Sequence, residues 1–233
     1  MGGGMSIEMW LAEDENAVFR NELQRNVFDE FGWEPTLDGA DISVSVDDHV
    51  VALSGTVKNY PEKLEAERAA KRVRGVQAVR NDLAVVIPAS NERSDKRIAR
   101  AAVQVLEADV LVPHDAIRAT VAGGHVRLEG QVRRDAERRA AGAAMQRLVG
   151  VKGVANEIAI KPTTPPEGLR ARVAAALQRC AGLRGDHVEV EMGGGALVLH
   201  GRVRCLAERD EAEQAVWALP GVTTVRDELQ IEG

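Results

Sequence analysis

Residues 75–85 read GVQAVRNDLAV, and nearly the same phrase returns as GVKGVANEIAI at residues 150–160 and as GVTTVRDELQI at residues 221–231. Each copy begins with glycine, alternates apolar with mostly polar residues, and carries Asn or Asp at its seventh place. A phrase that recurs at a long and regular interval indicates a repeated folding unit, so this repeat decides the fold.

Another glycine lies 20 residues before each phrase and fixes the register of the repeat. We call it the first glycine of its unit, and we call the glycine that begins the phrase the second glycine. These first glycines, in SGTV, EGQV and HGRV, are 75 and 71 residues apart, and an Asn or Asp follows each of them by 26 residues. The chain therefore contains three copies of one unit. We expect two structural glycines in each unit, which are Gly55 and Gly75, Gly130 and Gly150, and Gly201 and Gly221.

The pattern around the first glycine predicts two strands in each unit. Apolar and polar residues alternate on both sides of a short turn, as at Val44 and Val46 and then at Val51 and Leu53. Period two with one apolar face is typical of a half-buried strand, and two such strands joined by a tight turn form a hairpin. The repeated phrase has the same alternation and is the expected third strand.

Two helices are predicted in each unit, because apolar residues recur at spacings of three and four. One helix precedes the hairpin, and the other lies between the hairpin and the repeated phrase. Asn59, followed by Glu62, is the expected N-cap of the second helix in the first unit, and Ser94 is that of the first helix in the second unit. The second glycine is the expected end of the second helix in all three units.

These elements predict an α+β chain of three tandem αββαβ domains. The helical connection is long enough to place the third strand parallel to the second, and a right-handed crossover puts both helices on one face of a small three-stranded mixed sheet. Residues 88–94 and 161–168 are rich in Pro, Ser, Thr and Gly and are expected to be linkers. We expect domains at residues 14–88, 93–162 and 166–232.

With this register, the three copies resemble the BON domain, named for bacterial osmotically inducible and nodulation proteins. The stretches that carry the resemblance are VVALSGTV…GVQAVRND, HVRLEGQV…GVKGVANE and ALVLHGRV…GVTTVRDE. The resemblance covers residues 14–232 as three tandem copies, and residues 98–130 are similar to those of triple-BON proteins of stress-responsive bacteria. It implies an αββαβ fold without enzymatic activity. It also implies a role in envelope stress, in anionic phospholipid binding or in small-ion sensing.

The composition argues against several classes of function. A net charge of -6 and a pI near 5.5 argue against a surface built for nucleic acid. A targeting segment and a long apolar stretch are both missing, so we expect a cytoplasmic protein without a transmembrane segment. The two cysteines and five histidines lack metal-ligand spacing, and no set of acid, base and nucleophile stands out. We expect neither an enzyme nor a bound metal or cofactor.

Charge is distributed unevenly among the three units. The middle unit has a net charge of +4 over residues 89–164, against -5 over 14–88 and -3 over 165–233. Its excess is concentrated in QVRRDAERRA, which contains Arg133, Arg134, Arg138 and Arg139. Two interpretations are open: a solvated helix face, or a binding site for phospholipid headgroups or an acidic protein surface, which guanidinium groups suit.

Two tryptophans stand apart from the predicted cores. Trp217 lies off the buried face of its helix, so it belongs either to a contact between units or subunits, as in a homo-oligomer, or to the open surface. Trp33 is expected to pack within the loop that enters the first hairpin.

Together these observations predict a non-enzymatic, stress-associated binding or scaffold protein for anionic phospholipid surfaces or protein partners. The alternative is a cytoplasmic sensor of a small ligand or of a potassium-type cation. Such a sensor would use backbone carbonyls and acidic side chains, whose positions the sequence leaves open.

Overall fold

The structure is a computed structural model that describes residues 7–37, 41–161, 168–179, 188–193, 196–219, 221–222 and 224–232, with the backbone alone described at 7–17, 170, 192–193 and 196. Within these residues the chain forms three units of one topology, each with a helix, a hairpin, a second helix and a final strand. The predicted α+β arrangement of tandem αββαβ units is confirmed.

The three units use equivalent elements in the same order. The first unit contains α1 (Ile7–Gly32), β1 (Ile42–Asp47), β2 (Val50–Val57), α2 (Tyr60–Arg72), β3 (Ala78–Asn81) and β4 (Ala84–Val85). The second contains α3 (Asp95–Ala108), β5 (Ile117–Ala122), β6 (His125–Val132), α4 (Asp135–Gln146) and β7 (Gly153–Ile160). The third contains α5 (Leu169–Arg179), β8 (Val188–Gly193), β9 (Ala196–Val203), α6 (Leu206–Trp217) and β10 (Val225–Ile231). Helix α1 begins upstream of the predicted domain start at residue 14.

Each unit has its own sheet, with the second strand of the hairpin in the middle. In the second unit β6 pairs antiparallel with β5 and parallel with β7, and the third unit repeats this with β9 between β8 and β10. The predicted mixed sheet is thus confirmed. In the first unit the third strand is interrupted at Asp82 and Leu83, so that β3 and β4 pair separately with β2.

Each unit buries an apolar core between its sheet and its helices. In the second unit, Val126 and Leu128 of β6 lie in one cluster with Ala141 and Met145 of α4, and all four are at most 1% exposed. Aromatic residues make up only 3% of the chain, so the cores consist mainly of Val, Leu, Ile and Ala. Alternation in the strands and three-four spacing in the helices put these residues inside, which is why the sequence pattern locates the elements.

The first glycine of each unit lies in the second strand, and in the first and second units the backbone just before the first strand passes directly over it. Gly55, Gly130 and Gly201 have φ values of +116°, +143° and +132°. A Cβ on Gly130 would lie 2.1 Å from the carbonyl oxygen of Ala116, and one on Gly55 would lie 2.0 Å from that of Asp41. These positions require glycine both for its conformation and for its lack of a side chain.

The second glycine of each unit also has a positive φ, between +87° and +95°. The prediction that it ends the second helix is wrong, because α2, α4 and α6 end three or four residues before it. In the first unit the N–H of Val76 donates to the carbonyl of Val73 at 3.4 Å, so Gly75 is the third residue of a turn. The glycine therefore forms the turn that leads into the third strand.

Three local predictions have different outcomes. Asn59 is confirmed as an N-cap, since its Oδ1 accepts the N–H of Glu62 at 2.9 Å. Helix α3 begins directly after Ser94, but the Ser94 side chain makes no capping hydrogen bond. The packing predicted for Trp33 is wrong, because this side chain is 84% exposed just beyond the end of α1.

The units meet through their second helices, α2, α4 and α6, which we call the central helices. Lys71 of α2 binds Asp210 of α6, with 3.0 Å between Nζ and Oδ2. Burial of the Lys71 ammonium opposes its charged form, but the hydrogen bond and charge of Asp210, aided by Glu67, outweigh burial and raise the pKa of Lys71. Between α6 and α4, the guanidinium carbon of Arg138 lies 5.2 Å from the ring centre of Trp217.

The third pair of central helices, α2 and α4, borders a cleft of about 510 Å³ that includes Glu65 of α2 and Gln146 of α4. The repeat register relates the three pairs. In two of them a residue 16 places after the first glycine of one unit contacts a residue eight or nine places after the first glycine of another, as Lys71 contacts Asp210 and Trp217 contacts Arg138. In the third pair the equivalent Gln146 lines the cleft together with Glu65. The central helices are therefore arranged cyclically.

Candidate functional site

The four predicted arginines lie where β6 leaves its sheet and α4 begins. Glu137, in the first turn of α4, anchors this corner, because its Oε2 accepts the N–H of Arg133 at 2.9 Å and that of Arg134 at 3.3 Å. A carboxylate that satisfies free N–H groups at a helix start fixes the direction in which the chain enters the helix. The corner thus holds the arginine backbone in a defined position.

Arg133 and Arg134 lie at the surface of the second unit. Both residues are exposed, and neither side chain has a hydrogen-bond or ion-pair partner among the described residues. The exposed Lys161 is adjacent, since its N–H donates to the carbonyl of Val132 at 2.8 Å. We call Arg133, Arg134 and Lys161 the basic edge; it presents three cations to solvent.

Arg138 and Arg139 have a different environment, because both bind the buried carboxylate of Asp135. Arg138 Nε donates to Asp135 Oδ1 at 2.8 Å, and Arg139 Nε lies 2.7 Å from Asp135 Oδ2. The Asp135 side chain is 1% exposed, against 32% for Arg138 and 40% for Arg139. A buried carboxylate needs such partners, and it neutralises much of the charge of this pair.

On α6 of the third unit, Gln214 contacts Arg139 and Trp217 lies against Arg138. Its ring is below the guanidinium of Arg138, and Arg139 Nη1 donates to Gln214 Oε1 at 3.3 Å. The indole Nε1 donates to Glu213 Oε1 within α6 at 3.1 Å, and the ring also packs against the core of its own unit. The structure thus divides the four arginines into an exposed pair and a pair at a contact between units.

A glutamate seven places after each first glycine is a repeated feature that the strand and helix patterns leave unassigned. Its carboxylate accepts the backbone N–H four residues earlier in all three units: Glu62 from Lys58 at 2.8 Å, Glu137 from Arg133, and Glu208 from Arg204 at 2.8 Å. The sequence signal that could have identified this glutamate is its constant distance of seven residues from the first glycine. This glutamate gives every central helix the same start.

The Asn or Asp in the repeated phrase ties the third strand to the central helix. Asn81 donates to the carbonyl of Lys63 at 2.9 Å, and Asn156 donates to that of Arg138 at 2.8 Å. The Asp227 side chain has no N–H to donate, and Arg209 supplies the donor instead by binding the Asp227 carboxylate. The repeated phrase therefore closes each sheet and also fastens it to the helix above.

A sequence model of the BON domain matches residues 20–87, 94–162 and 167–233. The chain belongs to the BON-domain family. A curated relative is the osmotically-inducible protein Y of Escherichia coli (strain K12), which is 33% identical over 131 residues. This match covers 54% of the present BON protein and 64% of the relative, so the chain spans less than two thirds of the length of that protein.

Two solved structures are distantly similar to this BON protein. CdsD, a structural protein of the type III secretion system of Chlamydia trachomatis, is 13% identical with a TM-score of 0.25, covering 91% of this chain and 92% of its own. The periplasmic domain of PrgH is 8% identical with a TM-score of 0.22, covering 84% and 97% respectively. Scores this low support no argument about the BON protein.

The described residues of this BON protein form neither an evident metal site nor a helix that could span a membrane. They contain no group of three or more His, Cys, Asp or Glu side chains placed to hold a metal ion. Cys205 is a half-buried free thiol, and Cys180 lies outside the described residues. No described helix combines the length and the apolar character needed to cross a bilayer.

Proposed function

We propose that this chain is a non-catalytic, stress-associated binding protein that docks on anionic phospholipid through the basic edge. The observation that carries the proposal is the exposure of Arg133 and Arg134 without side-chain partners among the described residues. Membership of the BON family and similarity to a protein named as osmotically inducible support the link to stress.

Phosphate chemistry fits the basic edge. Guanidinium groups present paired N–H donors that match phosphate oxygens, and no carboxylate among the described residues pairs with the side chains of Arg133 and Arg134. The middle unit carries +4, whereas the outer units carry -5 and -3. An anionic membrane would attract the middle unit and repel the two outer units, which orients the molecule with the basic edge towards the lipid.

Arg138 and Arg139 are not part of this proposal, although the sequence groups them with Arg133 and Arg134. Asp135 already binds both guanidinium groups, so a phosphate would have to compete with a buried carboxylate. We therefore assign lipid contact to the exposed pair.

Flotation of the full chain with phosphatidylglycerol-containing vesicles tests the proposal. We expect binding at low salt that is lost towards about 1 M salt, where the screening length is about 3 Å. Each arginine near an anionic surface contributes about 1 kcal/mol, so Arg133→Ala with Arg134→Ala should weaken binding roughly thirtyfold.

The matched control is Arg202→Ala with Arg226→Ala, which removes two exposed arginines from the third unit. This variant should bind anionic vesicles like the unchanged chain. Neither protein should bind vesicles of phosphatidylcholine alone. The proposal fails if anionic vesicles are not bound, or if the two double variants bind equally. Binding to an acidic protein in place of vesicles would support the protein-partner interpretation instead.

The alternative function, a potassium-type cation sensor, stays a prediction, as does the cytoplasmic location. The sensor would need oxygen ligands from backbone carbonyls and acidic side chains. A rise in thermal stability with potassium that sodium at equal concentration does not produce would favour it.

A further inference from the structure

The first residue of each central helix occupies one position of the repeat, five places after the first glycine. Tyr60 of α2 packs on the core of the second unit, and Leu206 of α6 is buried in the core cluster of the first unit. Each of these two side chains thus anchors its unit to a neighbour by apolar contact. Asp135 of α4 holds the same position and is a carboxylate.

The contact between the second and third units depends on charge because Asp135 replaces an apolar anchor. The carboxylate holds Arg138 and Arg139, and these arginines in turn reach Trp217 and Gln214 of α6. We call these four residues of α4 and α6 the arginine–tryptophan junction. Among the described residues, no apolar side chain of the second unit belongs to the core cluster of the third.

Ionic strength acts differently on the two kinds of contact. The side chains of Arg138 and Arg139 are 32% and 40% exposed, so counterions reach them and weaken both the cation–π contact and the hydrogen bond. Apolar contacts such as those of Tyr60 and Leu206 do not weaken with salt, since no charge is involved.

We propose that the arginine–tryptophan junction is a salt-sensitive contact, which opens as ionic strength rises while the contacts of Tyr60 and Leu206 hold the first unit to its neighbours. Opening separates α6 from α4 and exposes the ring of Trp217 together with Arg138 and Arg139. The proposal concerns the arrangement of the units, and it stands or falls independently of phospholipid binding.

Trp217 fluorescence in the full chain provides the test. Trp10→Phe with Trp33→Phe leaves Trp217 as the single reporter, and acrylamide is a neutral quencher whose approach is unaffected by charge. Between about 0.01 M and about 1 M KCl, where the screening length falls from about 30 Å to about 3 Å, we expect the quenching constant to rise about twofold or more. Sodium chloride should act equally, which separates screening from specific potassium binding.

Two variants in this background make the result specific. Arg138→Ala with Arg139→Ala should give the high-salt quenching constant at low salt, with little further response. Lys71→Ala, which removes a charged contact between other helices, should keep the full response. The far-ultraviolet circular dichroism of each variant verifies that the units stay folded.

Small-angle scattering of the unchanged chain provides a second readout, with a larger radius of gyration expected at high salt. The proposal is overturned if the quenching constant and the radius of gyration stay constant across the salt range. It is also overturned if the Arg138 and Arg139 variant responds to salt as the unchanged chain does.

Discussion

At the scale of single residues, one carboxylate organises the hairpin turn of the middle unit. Asp95, at the start of α3, accepts the N–H of Gly123 at 2.8 Å and that of Gly124 at 2.9 Å. These bonds to the charged form lower the pKa of Asp95 from its ordinary value of 3.8, and the charge of Lys152 adds to the effect. Asp95 therefore links the first helix to the hairpin of the middle unit.

The lowered pKa predicts a pH dependence of stability. The Asp95 carboxylate stabilises the fold fully above its ordinary pKa of 3.8, and this contribution is lost as pH falls through the lower folded-state pKa. Asp95→Asn should lower the urea midpoint at neutral pH, and the difference from the unchanged chain should shrink in acid. Asp29→Asn, at an exposed position of α1, is the control and should have little effect. A constant difference at all pH values would contradict this role of the charge.

At the scale of secondary-structure elements, glycine sets the geometry of the hairpin in two distinct ways. Gly130 lies under the carbonyl of Ala116, so a side chain there would collide with backbone. Gly123 lies in the turn with a φ of +59°, and the space around it is open. The first position excludes any side chain, whereas the second merely prefers glycine.

Alanine substitutions should separate these two requirements. Gly130→Ala combines an unfavourable φ with a backbone clash and should destabilise the middle unit by about 3 kcal/mol or more. Gly123→Ala should cost about 1 kcal/mol, the penalty of a left-handed conformation alone. Urea unfolding measures both values. Equal losses would mean that the close approach at Ala116 relaxes without cost.

Elements within a unit could be predicted from the sequence because their signals are local and occur three times. The glycine positions and the alternation leading to Val126 and Leu128 are examples. The pairing of Asp135 with Arg138 and Arg139 also had a signal, since these residues are three and four places apart on a helix. Exposure of Trp33 could not be predicted, because an aromatic residue near a hairpin is compatible with either environment.

At the scale of the whole molecule, the contacts between units had no comparable signal. Lys71 and Asp210 are 139 residues apart, and neither disturbs the amphipathic pattern of its own helix. In the sequence pattern Leu206 resembles an ordinary core residue of the third unit. In the structure it is 7% exposed and belongs to the core cluster of the first unit. Such partners become visible only when the units are placed together.

Leu206→Ala should therefore destabilise a unit to which it does not belong. Loss of this buried side chain should cost about 2 kcal/mol or more and speed hydrogen exchange in β1 and β2 of the first unit. Leu177→Ala is the control, because Leu177 lies in the core of the third unit itself. If Leu206→Ala left exchange in the first unit unchanged, the apolar anchor between these units would be refuted.

The cyclic order of the central helices limits how the repeat can evolve. In an open solenoid an added repeat stacks on a free end and disturbs nothing. Here each unit already meets both of the others, so a fourth copy gained by gene duplication would have to force one existing pair of helices apart. Geometry thus favours triplets of this repeat over longer arrays.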